Sequence, residues 1–191
     1  TKAYFENTES WYADTVSLSP EDLADPEKAA ELLTLELFEC EWERVKSLFT
    51  YEVYDEDAYL VRVHPAVSGD VVIPDTYEGV PVRGISPKAF EGCANITSVT
   101  IPKGVLYISS GSFVNCPSLE SIVVDKDNPR YHSDGNCLID TESKTLIAGC
   151  NTSVIPSDGS VTSIEHHAFS GSEIGEITIP ESVTYIGYYA F

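Results

Sequence analysis

The side chains in this sequence that could act as nucleophiles, bases or metal ligands are few and scattered. Five cysteines stand at 40, 93, 116, 137 and 150, and four histidines at 64, 132, 166 and 167. Cys137 and His132 form the one Cys/His pair close in sequence, but a thiol nucleophile also needs a third group to orient its base, and none accompanies them. His166 and His167 are adjacent, so on an extended strand their rings point to opposite faces and cannot chelate one ion; a surface turn is the expectation. Asp125, Asp127 and Asn128 resemble the opening of a calcium loop. Pro129 and Arg130, however, stand where ligands are needed, and no Gly fills the required sixth place. Asp55, Glu56 and Asp57 cannot all face one ion and read as a solvated turn. The cysteines lack CxxC spacing and define neither a zinc site nor a complete disulfide framework. No glycine-rich phosphate loop, GxSxG elbow or HExxH helix occurs. The triplets Asn95-Ile96-Thr97 and Asn151-Thr152-Ser153 fit a glycosylation sequon but read as strand-edge residues. The expectation is an absence of catalytic, cofactor-binding and metal-binding residues.

Composition narrows the partners. The chain of 191 residues is 42% hydrophobic and 22% charged, as in a folded protein, and 11 basic residues against 31 acidic ones give a net charge of −20. Nucleic acid and anionic membrane surfaces both require Lys and Arg, so neither is an expected partner. No run reaches the length of a membrane helix, and the opening TKAYFENTES has neither the basic start nor the apolar core of a signal peptide. The chain begins at Thr1 and contains no Met, which predicts that an initiating segment has been removed. Residues 1–60 hold 16 acids and 4 bases, and 61–191 hold 15 and 7; this asymmetry predicts a boundary near residue 60.

The elements that must position these groups are repeats. Ile-Pro recurs at Ile73-Pro74, Ile101-Pro102, Ile155-Pro156 and Ile179-Pro180, and a small residue before Phe recurs at Phe90, Phe113, Phe169 and Phe191. The Phe spacings are 23, 56 and 22 residues, so the long interval hides a degenerate copy. A period near 23 lies in the leucine-rich-repeat range, in which each unit supplies a short strand and a turn and stacks on its neighbours.

Phe90-Glu91-Gly92-Cys93-Ala94-Asn95-Ile96-Thr97-Ser98-Val99 and Phe113-Val114-Asn115-Cys116-Pro117-Ser118-Leu119-Glu120-Ser121-Ile122 resemble the BspA-type leucine-rich repeats of bacterial surface proteins. Their units read roughly IPxxVxxIgxxAFxgCxxLxxV. Later copies depart from the pattern, with Ser172 in place of Cys and Ile174 in place of Leu. The resemblance spans about residue 58 to the end and implies a mostly β solenoid. It also implies a role in attachment to host or matrix proteins at the cell surface.

The chain divides into an N-terminal arm and helical cap, 1–57, and a repeat domain, 58–191. Ser19-Pro20 and Asp25-Pro26 read as helix starts, and an apolar stripe from Ala30 to Phe49 predicts a helix over 26–49 that covers the first repeat. Tyr51 to Val63 reads as a hairpin around the acidic turn. An insert over 123–148 is expected, with Cys137–Asp140 paired to Thr145–Ala148. Ile96, Val99 and Ile101 should face inward. Thr97, Ser98 and Thr100, with Glu120, Ser121 and Val123, then Asn151, Thr152 and Val154, and then Gly175, Glu176 and Thr178, should face outward. Phe90, Phe113 and Phe169 fill the opposite side of the core. Cys93 and Cys116 share one repeat position, about one strand spacing apart, so a disulfide is allowed, but buried thiols are the expected state.

The expected function is a binding or adhesion module, with a structural spacer as the alternative and a hydrolase or other enzyme third. The candidate surface comprises Thr97, Ser98, Thr100, Glu120, Ser121, Val123, Glu176 and Thr178, with Tyr107 and Tyr185 as exposed aromatic contacts. The last copy stops at the repeat's Phe, leaving Ile179, Val183, Ile186 and Phe191 without a following coil. The expectation is that the natural chain continues or that another chain covers this end, with self-association through it.

Overall fold

The computed structural model describes residues 48–191. The chain divides into two compact units, Thr1–Leu48 and Phe49–Phe191. The expected helix over 26–49 lies outside the described residues except at its last two positions, and Phe49 already belongs to a strand. From Phe49 onward the described residues contain strands, turns and bends and no helix.

The unit opens with the hairpin β1 (Phe49–Tyr54) and β2 (Asp57–Val63), antiparallel around the acidic turn. Each following coil adds one short strand to each of two parallel ladders. In the first ladder, β2 pairs with β5 (Val80–Ile85), and β5 pairs with β7 (Tyr107–Ile108). In the second, β3 (Ser68–Val72), β6 (Asn95–Ile101) and β8 (Ser121–Val124) lie side by side. β4 (Thr76–Tyr77) turns back on β5 through Glu78 and Gly79, both at positive φ, as a two-residue hairpin turn demands. The segment 123–148 forms an antiparallel meander of β9 (Tyr131–Asp134), β10 (Cys137–Asp140) and β11 (Thr145–Ala148). Parallel stacking then resumes through β12 (Ser163–Ile164) and β13 (Tyr185–Ile186).

Strand periodicity selects the core. Ile96, Val99 and Ile101 are fully buried, whereas Thr97 between them is exposed and Ser98 and Thr100 are half-buried. Phe90 stacks on Phe113 at 4.9 Å, and Phe169 on Phe191 at 5.2 Å. The coil between the two ring pairs carries Gly149 where the ring of Phe169 lies, and any side chain there would overlap that ring. This is the degenerate copy of the repeat. It contributes space instead of an aromatic ring.

A second periodicity lies in the backbone. The residue two before each repeat Phe is left-handed: Lys88 (φ 60), Gly111 (φ 68), His167 (φ 60) and Tyr189 (φ 52). The residue two after is left-handed as well, at Gly92 (φ 76), Asn115 (φ 56) and Gly171 (φ 77). The later position holds Gly or Asn, which tolerate this region, whereas three of the four earlier residues carry a Cβ that disfavours it. His166 and His167 therefore sit in a turn and not on an extended strand, and each stacks on the Tyr 22 residues later: His166 on Tyr188 at 5.3 Å and His167 on Tyr189 at 5.4 Å.

Candidate functional site

Two outward faces and one end carry the residues of interest. On the ladder β3, β6 and β8, Asp70, Ser98 and Ser121 share one register row, and Val72, Thr100 and Val123 the next but one. The Asp70 carboxylate accepts hydrogen bonds from the Ser98 hydroxyl at 2.6 Å and the Thr97 hydroxyl at 3.1 Å. These two bonds hold its pKa below the usual carboxylate value. Asn136 donates to the Thr152 hydroxyl at 3.0 Å, the Thr152 hydroxyl donates to the Glu120 carbonyl, and Ser121 donates to the Asn136 amide oxygen at 3.5 Å. The hydroxyls of Thr97, Ser98, Ser121 and Thr152 are thus engaged with a carboxylate, an amide and a carbonyl of the protein itself. What stands clear of them is apolar: Val72 is 65% exposed, Val123 45% and Val154 69%.

The structure brings Thr97, Ser98, Thr100, Ser121 and Val123 onto this one ladder, with Glu120 exposed immediately before β8. Glu176 and Thr178 are exposed in a later coil that forms no strand there, and Asn151 to Val154 likewise stand outside any strand. Tyr107 belongs to the β2, β5 and β7 ladder and Tyr185 to β13, so the candidate surface is spread over three sheets. Asn151, half-buried, bonds the Pro117 carbonyl at 2.5 Å and accepts from the Glu173 amide at 2.7 Å. It therefore acts as a staple between coils and lies in a turn, not at the strand edge expected of it.

The second face is the outer side of the first ladder. Tyr59, Gly84 and Tyr107 form one register row, Tyr54 packs edge-on against Tyr59, and the Arg130 guanidinium lies 5.7 Å from the Tyr107 ring centroid. Arg130 is held by Asp140 at 3.0 Å and the Leu106 carbonyl at 2.7 Å. Beside it, Asn128 donates to the carbonyls of Pro102 (3.0 Å) and Val105 (2.9 Å) and accepts from the amides of Arg130 and Tyr131. The Tyr131 hydroxyl accepts from the Ile108 amide at 3.0 Å. The segment that resembled a calcium loop is thus a polar plug for the open edge of β7. Asp125 there accepts from the Asp127 amide at 2.8 Å.

The end of the unit is the coil bearing β13. Tyr188 is 76% exposed, Tyr189 75%, and Tyr185, Ile186, Ile179 and Phe191 are also exposed, although Ile179 had the pattern of an inward residue. His166 accepts the Tyr188 amide at 2.7 Å through Nδ1.

Among the described residues the reactive groups do not converge. His132 Nδ1 bonds the Thr141 hydroxyl at 2.8 Å, while Cys137 is fully buried and opposes Asp134 in the β9/β10 register. Burial pushes the Cys137 thiol up to about 12, so it does not supply a thiolate at neutral pH. Cys93, Cys116, Cys137 and Cys150 are free and buried, and no group of three His, Cys, Asp or Glu side chains among the described residues is arranged to hold a metal ion.

The family description "BspA type Leucine rich repeat region" matches residues 71–136 and 140–191 in 6 copies. A leucine-rich repeat protein from Eubacterium ventriosum ATCC 27560 is similar in structure, with a TM-score of 0.53 and 23% identity over 64% of this chain and 32% of that one. A leucine-rich repeat protein from Bacteroides ovatus ATCC 8483 is 28% identical over 75% of this chain and 37% of its own, with a TM-score of 0.46. A leucine rich cell surface protein from Faecalibacterium prausnitzii A2-165 is 22% identical over 75% of this chain and 50% of its own, with a TM-score of 0.40. The chain spans about a third of the length of the first two. No curated protein matches the sequence significantly.

Proposed function

Because the chain belongs to the BspA-type leucine-rich repeat family, we propose that it is a non-catalytic protein-binding module of a bacterial cell surface, with adhesion to host or matrix proteins as its role. The observation that carries this reading is the ladder of β3, β6 and β8, where exposed Val72 and Val123 flank Thr100 in one register row, two positions along from the row of Asp70, Ser98 and Ser121. A repeat ladder that presents apolar side chains to water offers contact area to a partner. The reading is tested by measuring binding of the 191-residue chain to a panel of purified extracellular matrix proteins. A Val72→Glu, Val123→Glu double variant should lose that binding. If the wild type binds none of them while a longer form of the protein does, the face is not the contact.

The second reading is a spacer that holds another domain at a distance. It is favoured by the internal satisfaction of the same face, where Asp70, Ser98, Thr97, Ser121, Asn136 and Thr152 bond to neighbours on the protein. Absence of binding to every protein of the panel, by the 191-residue chain and by a longer form alike, would favour the spacer.

A further inference from the structure

We propose that the tyrosine row of the first ladder is a docking platform for arginine side chains of a partner protein. The proposal rests on the reading of the chain as a protein-binding module but places the contact on a different face. Tyr54 meets Tyr59 edge-on at 5.9 Å, and Tyr59 lies 6.5 Å from Tyr107 with a tilt of 32° between the rings. Gly84 sits in the register between Tyr59 and Tyr107. Its φ is not left-handed, so conformation does not require glycine, but even a methyl group would overlap the Tyr59 ring. The absent side chain lets the ring lie down on the strand. Tyr54 is 60% and Tyr107 53% exposed, so the row offers aromatic rings to solvent where a solenoid face would ordinarily be polar.

The row already takes one guanidinium, that of Arg130 over Tyr107. It also lies in a negative field: from Phe49 to Phe191 the chain has 19 acids and 7 bases. Of those bases, Arg83, Lys88 and Arg130 are neutralised by Asp57, Glu91 and Asp140. Glu52 opposes Tyr59 in the β1/β2 register and accepts the Tyr54 hydroxyl. Acidic surroundings attract any cation, but ring faces select guanidinium over ammonium, because guanidinium is planar, weakly hydrated and stacks. A neutral sugar would find the rings but gain nothing from the charge, so a cationic, arginine-bearing segment is the occupant these features favour.

The test titrates the 191-residue chain with nona-arginine, nona-lysine and a neutral glucose oligomer by calorimetry. Nona-arginine should bind more tightly than nona-lysine. Tyr54→Ala and Tyr107→Ala, both at exposed sites, should each weaken it by about two- to fivefold, while the corresponding Phe variants keep it. Gly84→Ala, which lifts the Tyr59 ring, should weaken it too, with circular dichroism confirming that the fold is retained. Equal binding of both peptides, with no effect of the Ala variants, would reduce the effect to net charge and overturn the proposal. Binding of the glucose oligomer that the Ala variants abolish would overturn it in favour of a sugar site. If a matrix protein binds and is lost in the Val123→Glu variant but not in Tyr107→Ala, the platform fails and the general binding reading stands.

Discussion

The ring of Phe169 lies over Gly149, filling the space that a side chain in the intervening coil would occupy. Burial of Phe169 thus depends on the smallness of a residue 20 positions earlier. Gly149→Val should destabilise the protein by about 2–3 kcal/mol through overpacking, and Phe169→Ala by about 3–5 kcal/mol. In the Phe169→Ala background the valine should cost much less, which a double-mutant cycle in urea measures. Additive costs would mean that the two residues do not share the space.

Lys88 holds a left-handed backbone on the protein surface, where its carbonyl accepts the Glu91 amide and its side chain makes an exposed ion pair to Glu91. The left-handed region costs a residue with a Cβ about 1–2 kcal/mol, and an exposed pair contributes about 0–1 kcal/mol. Lys88→Gly should therefore raise the melting temperature, against the usual cost of glycine. A fall in melting temperature would show that Lys88 does more than complete its turn.

Asp140 is almost fully buried, and burial alone would raise its pKa. The amide of Ser143 and the side chain of Arg130 outweigh that effect, so the pKa falls below the usual carboxylate value. A depressed carboxylate stabilises the fold above its unfolded pKa of about 4, and that stability is lost as pH falls through the folded pKa. Asp140→Asn should cost about 1–2 kcal/mol near pH 7. The difference from wild type should shrink below about pH 4, and chemical denaturation across that range measures it.

Burial holds the thiols of Cys93, Cys116 and Cys137 protonated, with pKa values pushed up to about 11, about 12 and about 12. In a Cys40→Ser background, a thiol reagent at pH 8 should label none of the remaining four cysteines until denaturant unfolds the chain. Prompt labelling of any of them in the native protein would show that its coil opens locally.

The coil bearing β13 exposes Tyr185, Ile186, Tyr188, Tyr189 and Phe191 together. The 191-residue chain should associate with rising concentration through this surface, and Ile186→Lys with Tyr188→Lys should restore a monomer. Light scattering over a wide concentration range checks it, and a wild-type monomer at all concentrations would contradict it.

The ladder residues were legible because their side chains obey a period of two within a period of about 23. Ile96, Val99 and Ile101 could be placed inward, and Thr97, Ser98 and Thr100 outward, from spacing alone. The Phe positions were equally plain, but the partner of Phe169 was not, because Gly149 contributes by having no side chain and leaves no mark in a hydrophobic pattern. The left-handed positions at Lys88, His167 and Tyr189 were hidden for a related reason: a glycine would have advertised them, and other residues occupy them. His166 and His167 do lie in a turn, as their spacing suggested, but their stacking on Tyr188 and Tyr189 could not be read from it. The segment of Asp125, Asp127 and Asn128 resembled the opening of a cation loop and was set aside for want of ligands, but the plug that Asn128, Arg130 and Tyr131 form instead could not be read from spacing. Only the structure shows that the carbonyls of Pro102, Val105 and Leu106 are what those groups bind.

The plug also bears on how the solenoid responds to force. Along the outer edge of β7, the parallel ladder passes its load to the meander through the side chains of Asn128, Arg130 and Tyr131. Amide ladders resist shear as a set, because their bonds must break together, whereas separate side-chain bonds yield one after another. Pulling along its axis should therefore open this side first, ahead of either ladder, and single-molecule stretching would show it as an early low-force step lost in an Asn128→Ala, Arg130→Ala variant.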